Sequence, residues 1–231
     1  MAPVRLVPEC FPLRWTVAGT CLVAGVLGLV NALASNTIAL DRAAATALFA
    51  GRGSALRTVT QRFTVAGSAP AIMLAGVVGS VVLWLRYRDR LLALWCAATP
   101  VAALVAEILV KNVVRRGPPA EKVQYVEPVN SRFSELFQPG RYSFPSGHAV
   151  LSAALATMVA LLAWQLLRGR RRPFAVVVCA AFAVLVALSR VVLGVHFLSD
   201  VVAGVAVGVA VALASSRGLD LLRGYRSPEQ L

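Results

Sequence analysis

Acid is what this chain has least of: ten Asp and Glu stand against 23 Lys and Arg in 231 residues. No set of carboxylates gathers in a way that would hold a magnesium ion, so no metal site or other cofactor is expected. Charge of either sign is thin, at 14% of residues against the roughly 25% of ordinary globular proteins. A nucleic-acid binder spreads many cations over a polar surface, so despite a net charge of +13 that class is excluded. Paired cysteines are missing as well. Cys10, Cys21, Cys96 and Cys179 form no C-x-x-C spacing, which excludes a zinc knot or a disulfide scaffold, and they read as small apolar residues. What remains is apolar: 58% hydrophobic residues and a mean hydropathy of +0.75. That excess excludes disorder and points to a polytopic membrane protein.

A helix needs about 20 mostly apolar residues to cross a bilayer core. Six runs qualify, at 15–34, 67–85, 91–110, 149–167, 174–193 and 197–215. The expected fold is therefore an all-α bundle of six transmembrane helices, a single integral-membrane domain over 1–231. The first run follows Arg14 and ends in Ala32-Leu33-Ala34, a passable signal-peptidase pattern. A retained helix is preferred, because cleavage would leave five spans and separate the termini across the membrane. The stretch 41–63 carries Arg42, Arg52, Arg57 and Arg62 among apolar residues. It reads either as an amphipathic interfacial helix capped at Asp41 or as a connecting loop, with Gly51-Arg52-Gly53 breaking any continuous helix. Gly204 with Gly208 and Gly76 with Ser80 would permit close helix approach. Arg86, Arg88 and Arg90 crowd one short connection, and Arg168, Arg170, Arg171 and Arg172 another. The positive-inside rule makes those turns cytoplasmic, and with six spans both termini too.

A charged side chain at mid-membrane costs at least about 2.5–3.5 kcal/mol, so charges at span ends invite a functional reading. Glu107, Lys111, His148, Arg190, His196 and Asp200 all fall at the outer ends of the third to sixth spans. Helices ending on one side bring those residues together, and a mixture of cations and imidazoles with few acids suits an anion such as phosphate. Pro145-Ser146-Gly147-His148 opens the fourth span: proline favours a helix start, Ser146 can cap or donate, and Gly147 lets backbone amides approach an oxyanion. Ser189-Arg190 is followed after five residues by His196 and after three more by Asp200. If helical, that spacing puts His196 and Asp200 on one face. A carboxylate on one ring nitrogen would leave the other free to attack, and two histidines could then divide nucleophile from general acid.

These residues resemble the type 2 phosphatidic acid phosphatase family of membrane lipid phosphatases. The family signature is Lys-x6-Arg-Pro, then Pro-Ser-Gly-His, then Ser-Arg-x5-His-x3-Asp. The second and third parts match at every fixed position, with 40 residues between His148 and Ser189. The first part departs. Counting from Lys111, Arg-Pro would fall on Pro118-Pro119, so the proline is kept and the arginine is missing. Arg116, two residues upstream, is the first choice to reach the phosphate and Arg115 the second.

The resemblance implies that His196 attacks phosphorus to form a phosphohistidine, held by Asp200, and that His148 protonates the leaving oxygen and later activates water. Lys111, Arg190 and Arg116 would neutralise the phosphoryl oxygens, helped by Ser146 and the Gly147 amide, without a metal. Ser189 would cap or pack, and Glu107, four residues before Lys111, would position that lysine. Arg132 and Arg141 either grip a headgroup or are solvated, and Tyr142 and Phe144 read as interface anchors. The implied partner is a membrane lipid phosphate reached laterally from the bilayer of the plasma (inner) membrane, on the extracytoplasmic side. A polyprenyl diphosphate is favoured, with phosphatidic acid or phosphatidylglycerol phosphate as alternatives. Soluble vanadium haloperoxidases share such a site, but six apolar spans argue against them. A non-catalytic lipid-binding or transport protein would place its polar groups nearer mid-depth.

Overall fold

The computed structural model describes residues 37–49, 54–117, 119 and 142–225. The expected span at 15–34, the Gly51-Arg52-Gly53 break, Pro118, Arg132 and Arg141 lie outside the described residues. Within them every regular element is helical. Two short helices, α1 (Thr37–Leu48) and α2 (Ala55–Thr64), precede a 3₁₀ turn at Val65–Gly67. Five long ones follow: α3 (Ala69–Tyr87), α4 (Arg90–Val114), α5 (Gly147–Leu166), α6 (Arg171–Val192) and α7 (Leu198–Tyr225).

Among the described residues these five, α3 to α7, are long and apolar enough to cross a membrane. They coincide with the last five expected spans, except that α7 runs ten residues past 215, to Tyr225. Its 28 residues measure about 42 Å at 1.5 Å each, more than the hydrocarbon core needs, so the end bearing Arg217, Asp220 and Arg223 projects beyond the apolar layer. The described parts of the stretch 41–63 are helical rather than a loop, and the first helix does not start at Asp41. Asp41 sits inside α1, and the cap belongs to Ser54, whose hydroxyl accepts the Arg57 amide at 3.2 Å to start α2.

Local chemistry sets the helix ends. Arg88 turns the chain out of α3 at φ +55°, and the Asp89 carboxylate then accepts the Leu92 amide at 3.0 Å to start α4. The same carboxylate pairs with Arg223 at the far end of α7. Arg115 closes α4 at φ +53°, its amide bonded to the Lys111 carbonyl at 2.9 Å.

Helix α5 is the most enclosed of the five and α3 the least. Ile72, Ala103, Val150, Leu151, Ala154 and Val207 form one core cluster around α5. A second joins Leu83, Leu92, Trp95, Cys96, Met158 and Leu219, so Cys96 is the small buried residue its setting implied. The small-residue pairs do bring helices close. A Cβ on Gly208 would overlap the Val150 carbonyl oxygen, and one on Gly204 would stand 2.7 Å from the Ser146 oxygen, so α5 and α7 meet nearly backbone to backbone. Gly76 likewise admits the ring of Pro100. Between α4 and α7, Trp95 Nε1 donates to Ser215 Oγ at 3.1 Å, and Thr99 Oγ1 lies 3.1 Å from the same hydroxyl. Outward, Leu74, Val77, Val78 and Val81 of α3 and Phe174 and Val177 of α6 are exposed, as a lipid-facing surface requires.

Antiparallel packing places the C-terminal ends of α4 and α6 beside the N-terminal ends of α5 and α7. The arginine-rich turns at 86–90 and 168–172 lie at the opposite end of these helices.

Candidate active site

The shared end is organised around Asp200, in the first turn of α7 and fully buried. Its Oδ2 accepts the Phe197 amide at 3.0 Å, the reach-back of a capping box. The same oxygen faces His196 Nδ1 at 3.6 Å, an ion-pair separation longer than a hydrogen bond. Oδ1 accepts from Arg116 Nη1 at 2.8 Å, and the Asp200 carbonyl accepts the Ser146 amide at 3.0 Å, joining the two matched motifs through the backbone. His196 precedes α7 rather than lying on it. The two side chains face each other because the carboxylate reaches back over the helix start, not because both share a helical face, and the expected hydrogen bond between them is not made among the described residues.

Cations line the other side. Lys111 is buried and paired with Glu107 at 2.8 Å, the positioning contact expected from their spacing. The Glu107 carboxylate lies against Gly147, where a Cβ would overlap it. Arg190 is buried, and its Nη1 donates to Thr64 Oγ1 at 3.0 Å; Ser189 Oγ is 3.0 Å from the same hydroxyl. His148, in the first turn of α5, stands among Arg190, His196 and Lys111. The Ser146 hydroxyl does not cap α5: it is fully buried and has no hydrogen-bond partner among the described residues. Burial foremost, with Arg190 and Lys111, holds the His196 imidazole below its ordinary 6.5, although Asp200 pulls the other way. His196 is therefore neutral at neutral pH, the form that can act as a nucleophile.

The two arginines follow separate courses. Arg115 is exposed, with Nε donating to its own helix at Asn112 O, 2.8 Å away. Arg116 turns inward but does not point at an open anion site. Its Nη1 reaches Ser199 Oγ at 2.6 Å as well as Asp200, its Nη2 meets Asp41 Oδ2 at 2.6 Å, and its guanidinium lies 4.3 Å over the Phe197 ring. Displaced two residues from the family position, it falls beside the carboxylates at the start of α7. Phe144 is fully buried rather than an interface anchor, and neighbouring Ser143 donates to Gly117 O at 2.9 Å.

Sequence reasoning missed Asp41, Thr64 and Ser199. Thr64 ends an amphipathic helix and carries no motif, Ser199 is an unspecified position inside one, and in the sequence Asp41 reads as a helix cap. The sole available signal was Asp41 as an isolated acid in an acid-poor chain.

A bundle of this kind defines a class, the polytopic α-helical membrane proteins with the fold of PAP2-type phosphatases. The crystal structure of a transmembrane PAP2 type phosphatidylglycerolphosphate phosphatase from Bacillus subtilis superposes with a TM-score of 0.72, over 93% of this chain and 98% of that one at 20% identity. The model of the PAP2 superfamily matches residues 91–222, and the chain belongs to that superfamily. Decaprenylphosphoryl-5-phosphoribose phosphatase of Mycobacterium tuberculosis (strain ATCC 25618 / H37Rv) is 32% identical over 147 residues, 63% of this chain and 71% of that protein. Phosphatidylglycerophosphatase B of Bacillus subtilis (strain 168) is 33% identical over 88 residues, 37% of this chain; the match spans less than half of that relative, 43%.

Proposed function

We propose that this protein hydrolyses a membrane lipid phosphate or diphosphate without a metal, through a phosphohistidine on His196. The observation that carries the reading is one cluster at the helix ends: a neutral, largely enclosed His196 facing Asp200, with His148, Lys111 and Arg190 around it. With Nδ1 turned to Asp200, Nε2 of His196 attacks phosphorus. The phosphorus–oxygen bond to the leaving group breaks as His148, entering the step as the imidazolium, gives that oxygen a proton and is left neutral. His148 then takes a proton from water, whose oxygen attacks phosphorus, and the phosphorus–nitrogen bond breaks to free phosphate. Lys111 and Arg190 offset the phosphoryl charge, with the Ser146 hydroxyl and the Gly147 amide as donors. Arg116, expected there from the sequence, is assigned instead to Asp200, and exposed Arg115 has no role.

The site lies at the end opposite the arginine-rich turns. By the positive-inside rule this supports an extracytoplasmic site in the plasma membrane, reached sideways by a lipid. A polyprenyl-linked substrate is favoured, a diphosphate or a phosphomonoester, because the relative named for a decaprenyl-linked phosphate aligns over the larger share of the chain. Phosphatidylglycerol phosphate is the second reading, supported by the names of the Bacillus relative and of the superposed structure.

Purified protein in detergent with EDTA should release phosphate from these lipids, fastest from the polyprenyl-linked ones. If release from every lipid phosphate is no faster than for His196→Ala, the protein is not this enzyme, and a lipid-binding or transport role takes its place. The pH profile adds a second expectation. Since His196 must be neutral to attack and its pKa is lowered, the acidic limb of kcat/KM should lie below pH 6.5. A limb above that value would remove His196 from the attacking role.

A further inference from the structure

Asp41 is a carboxylate on a short helix outside the five candidate spans, yet it is 1% exposed. A carboxylate so buried needs partners to offset its desolvation, and here both oxygens have them. Oδ2 accepts from Arg116 Nη2 at 2.6 Å and from the Ser199 hydroxyl at 2.8 Å; Oδ1 accepts the Ser199 amide at 3.0 Å. That amide is one of the first-turn donors of α7, whose N-cap position holds Phe197, a residue with no side-chain acceptor. Asp41 thus caps α7 from another helix, one residue before Asp200. It also shares the guanidinium that Asp200 holds at 2.8 Å. A cation paired with Asp200 alone would cancel the negative charge that Asp200 presents to His196. A second carboxylate on that cation leaves the trio Asp41–Arg116–Asp200 with one net negative charge, facing the imidazole that becomes cationic during attack.

We propose that Asp41 is a positioning residue of the reaction, holding Asp200 in register with His196 and preserving its charge through Arg116 and Ser199. This rests on the hydrolase reading above.

The test compares Asp41→Asn, which keeps an acceptor oxygen for Ser199 but removes the charge, with Arg116→Gln, the double variant and the milder Ser199→Ala. In detergent, Asp41→Asn should lower kcat about 10- to 100-fold with KM within about twofold, the size of effect that small misplacement causes. The double variant should be no slower than Arg116→Gln alone, since both act through one contact. Ser199→Ala should lose about threefold in kcat, a single hydrogen bond's worth. With two histidines in the chain, imidazole NMR resolves His196 once His148→Gln has assigned the other signal. Its titration midpoint should fall by about half a unit in Asp41→Asn, because a nearby negative charge is gone. Besides the Asp41–Arg116 pair, the charges bearing on that signal are those of Asp200, Arg190 and Lys111 and, from α5, a protonated His148. An unchanged kcat, losses that multiply in the double variant, or an unmoved midpoint would each overturn the proposal. Inactive wild type with a shifted midpoint would instead overturn the hydrolase reading and leave the link from Asp41 to His196 standing.

Discussion

His196→Ala is expected to slow phosphate release by about 10⁴-fold or more, equivalent to about 5.4 kcal/mol of barrier. The size follows from the role: without this imidazole the nucleophile facing Asp200 is gone and no covalent intermediate forms there, while charge stabilisation by Lys111 and Arg190 alone retains a small residual rate. The loss should not be a folding defect. The bonds that organise this end of the bundle run from Asp200 to Arg116, Phe197 and Ser146, and none uses the His196 side chain. Thermal unfolding of the variant should therefore match wild type within a few degrees. Rapid quench with a radiolabelled lipid phosphate gives the direct readout. Wild type should carry an acid-labile, alkali-stable label on protein, and His196→Ala none. His148→Gln should slow release of the label, because water then lacks its base. Retention of more than about one-hundredth of wild-type turnover by His196→Ala would show that the nucleophile lies elsewhere.

Gly208→Ala should be the most damaging small change to the fold. The added methyl would overlap the Val150 carbonyl oxygen and stand 2.9 Å from the Ala154 nitrogen, both backbone atoms of α5 that cannot swing aside. The two helices must part, at a cost of about 1–3 kcal/mol for overpacking. Because the Ser146 amide bonds the Asp200 carbonyl across this same interface, kcat should fall together with thermal stability. Gly218→Ala, ten residues on in α7, is the control. Nothing lies within 4 Å of its Cβ, so it should be neutral or raise stability by up to about 1 kcal/mol through helix propensity. Gly147→Ala separates fold from chemistry, since its methyl meets the tip of the Glu107 side chain, which can move. Its effect should appear at Lys111, as weaker substrate binding, more than in melting. Equal stability of the Gly208 and Gly218 variants would contradict the close α5–α7 contact.

Much of this protein is readable without coordinates because a membrane imposes local rules. Each of α3 to α7 must be an uninterrupted apolar run with its backbone bonds satisfied internally, so hydropathy alone finds the helices to within a few residues, apart from the ten-residue polar extension of α7. The turns between them follow from equally local chemistry, such as Asp89 accepting the Leu92 amide. Pro145 to His148 and Ser189 to Asp200 are visible for the same reason: charged residues in span ends are costly and stand out, and antiparallel helices bring such ends together. Isolated charges are another matter. Residues 41, 116 and 200 lie on three separate helices or helix ends, and no periodicity links them. Whether Arg116 meets a phosphate or two carboxylates depends on where α1 packs and on how far α4 turns before it ends at Arg115. The same holds for Thr64, whose hydroxyl matters through the placement of α2 against α6. The sequence by itself determined the five spans α3 to α7, the two-histidine motif and the family it signals. The tertiary structure decided which charge each buried charge answers, because that pairing is set by packing across helices rather than by any pattern along the chain.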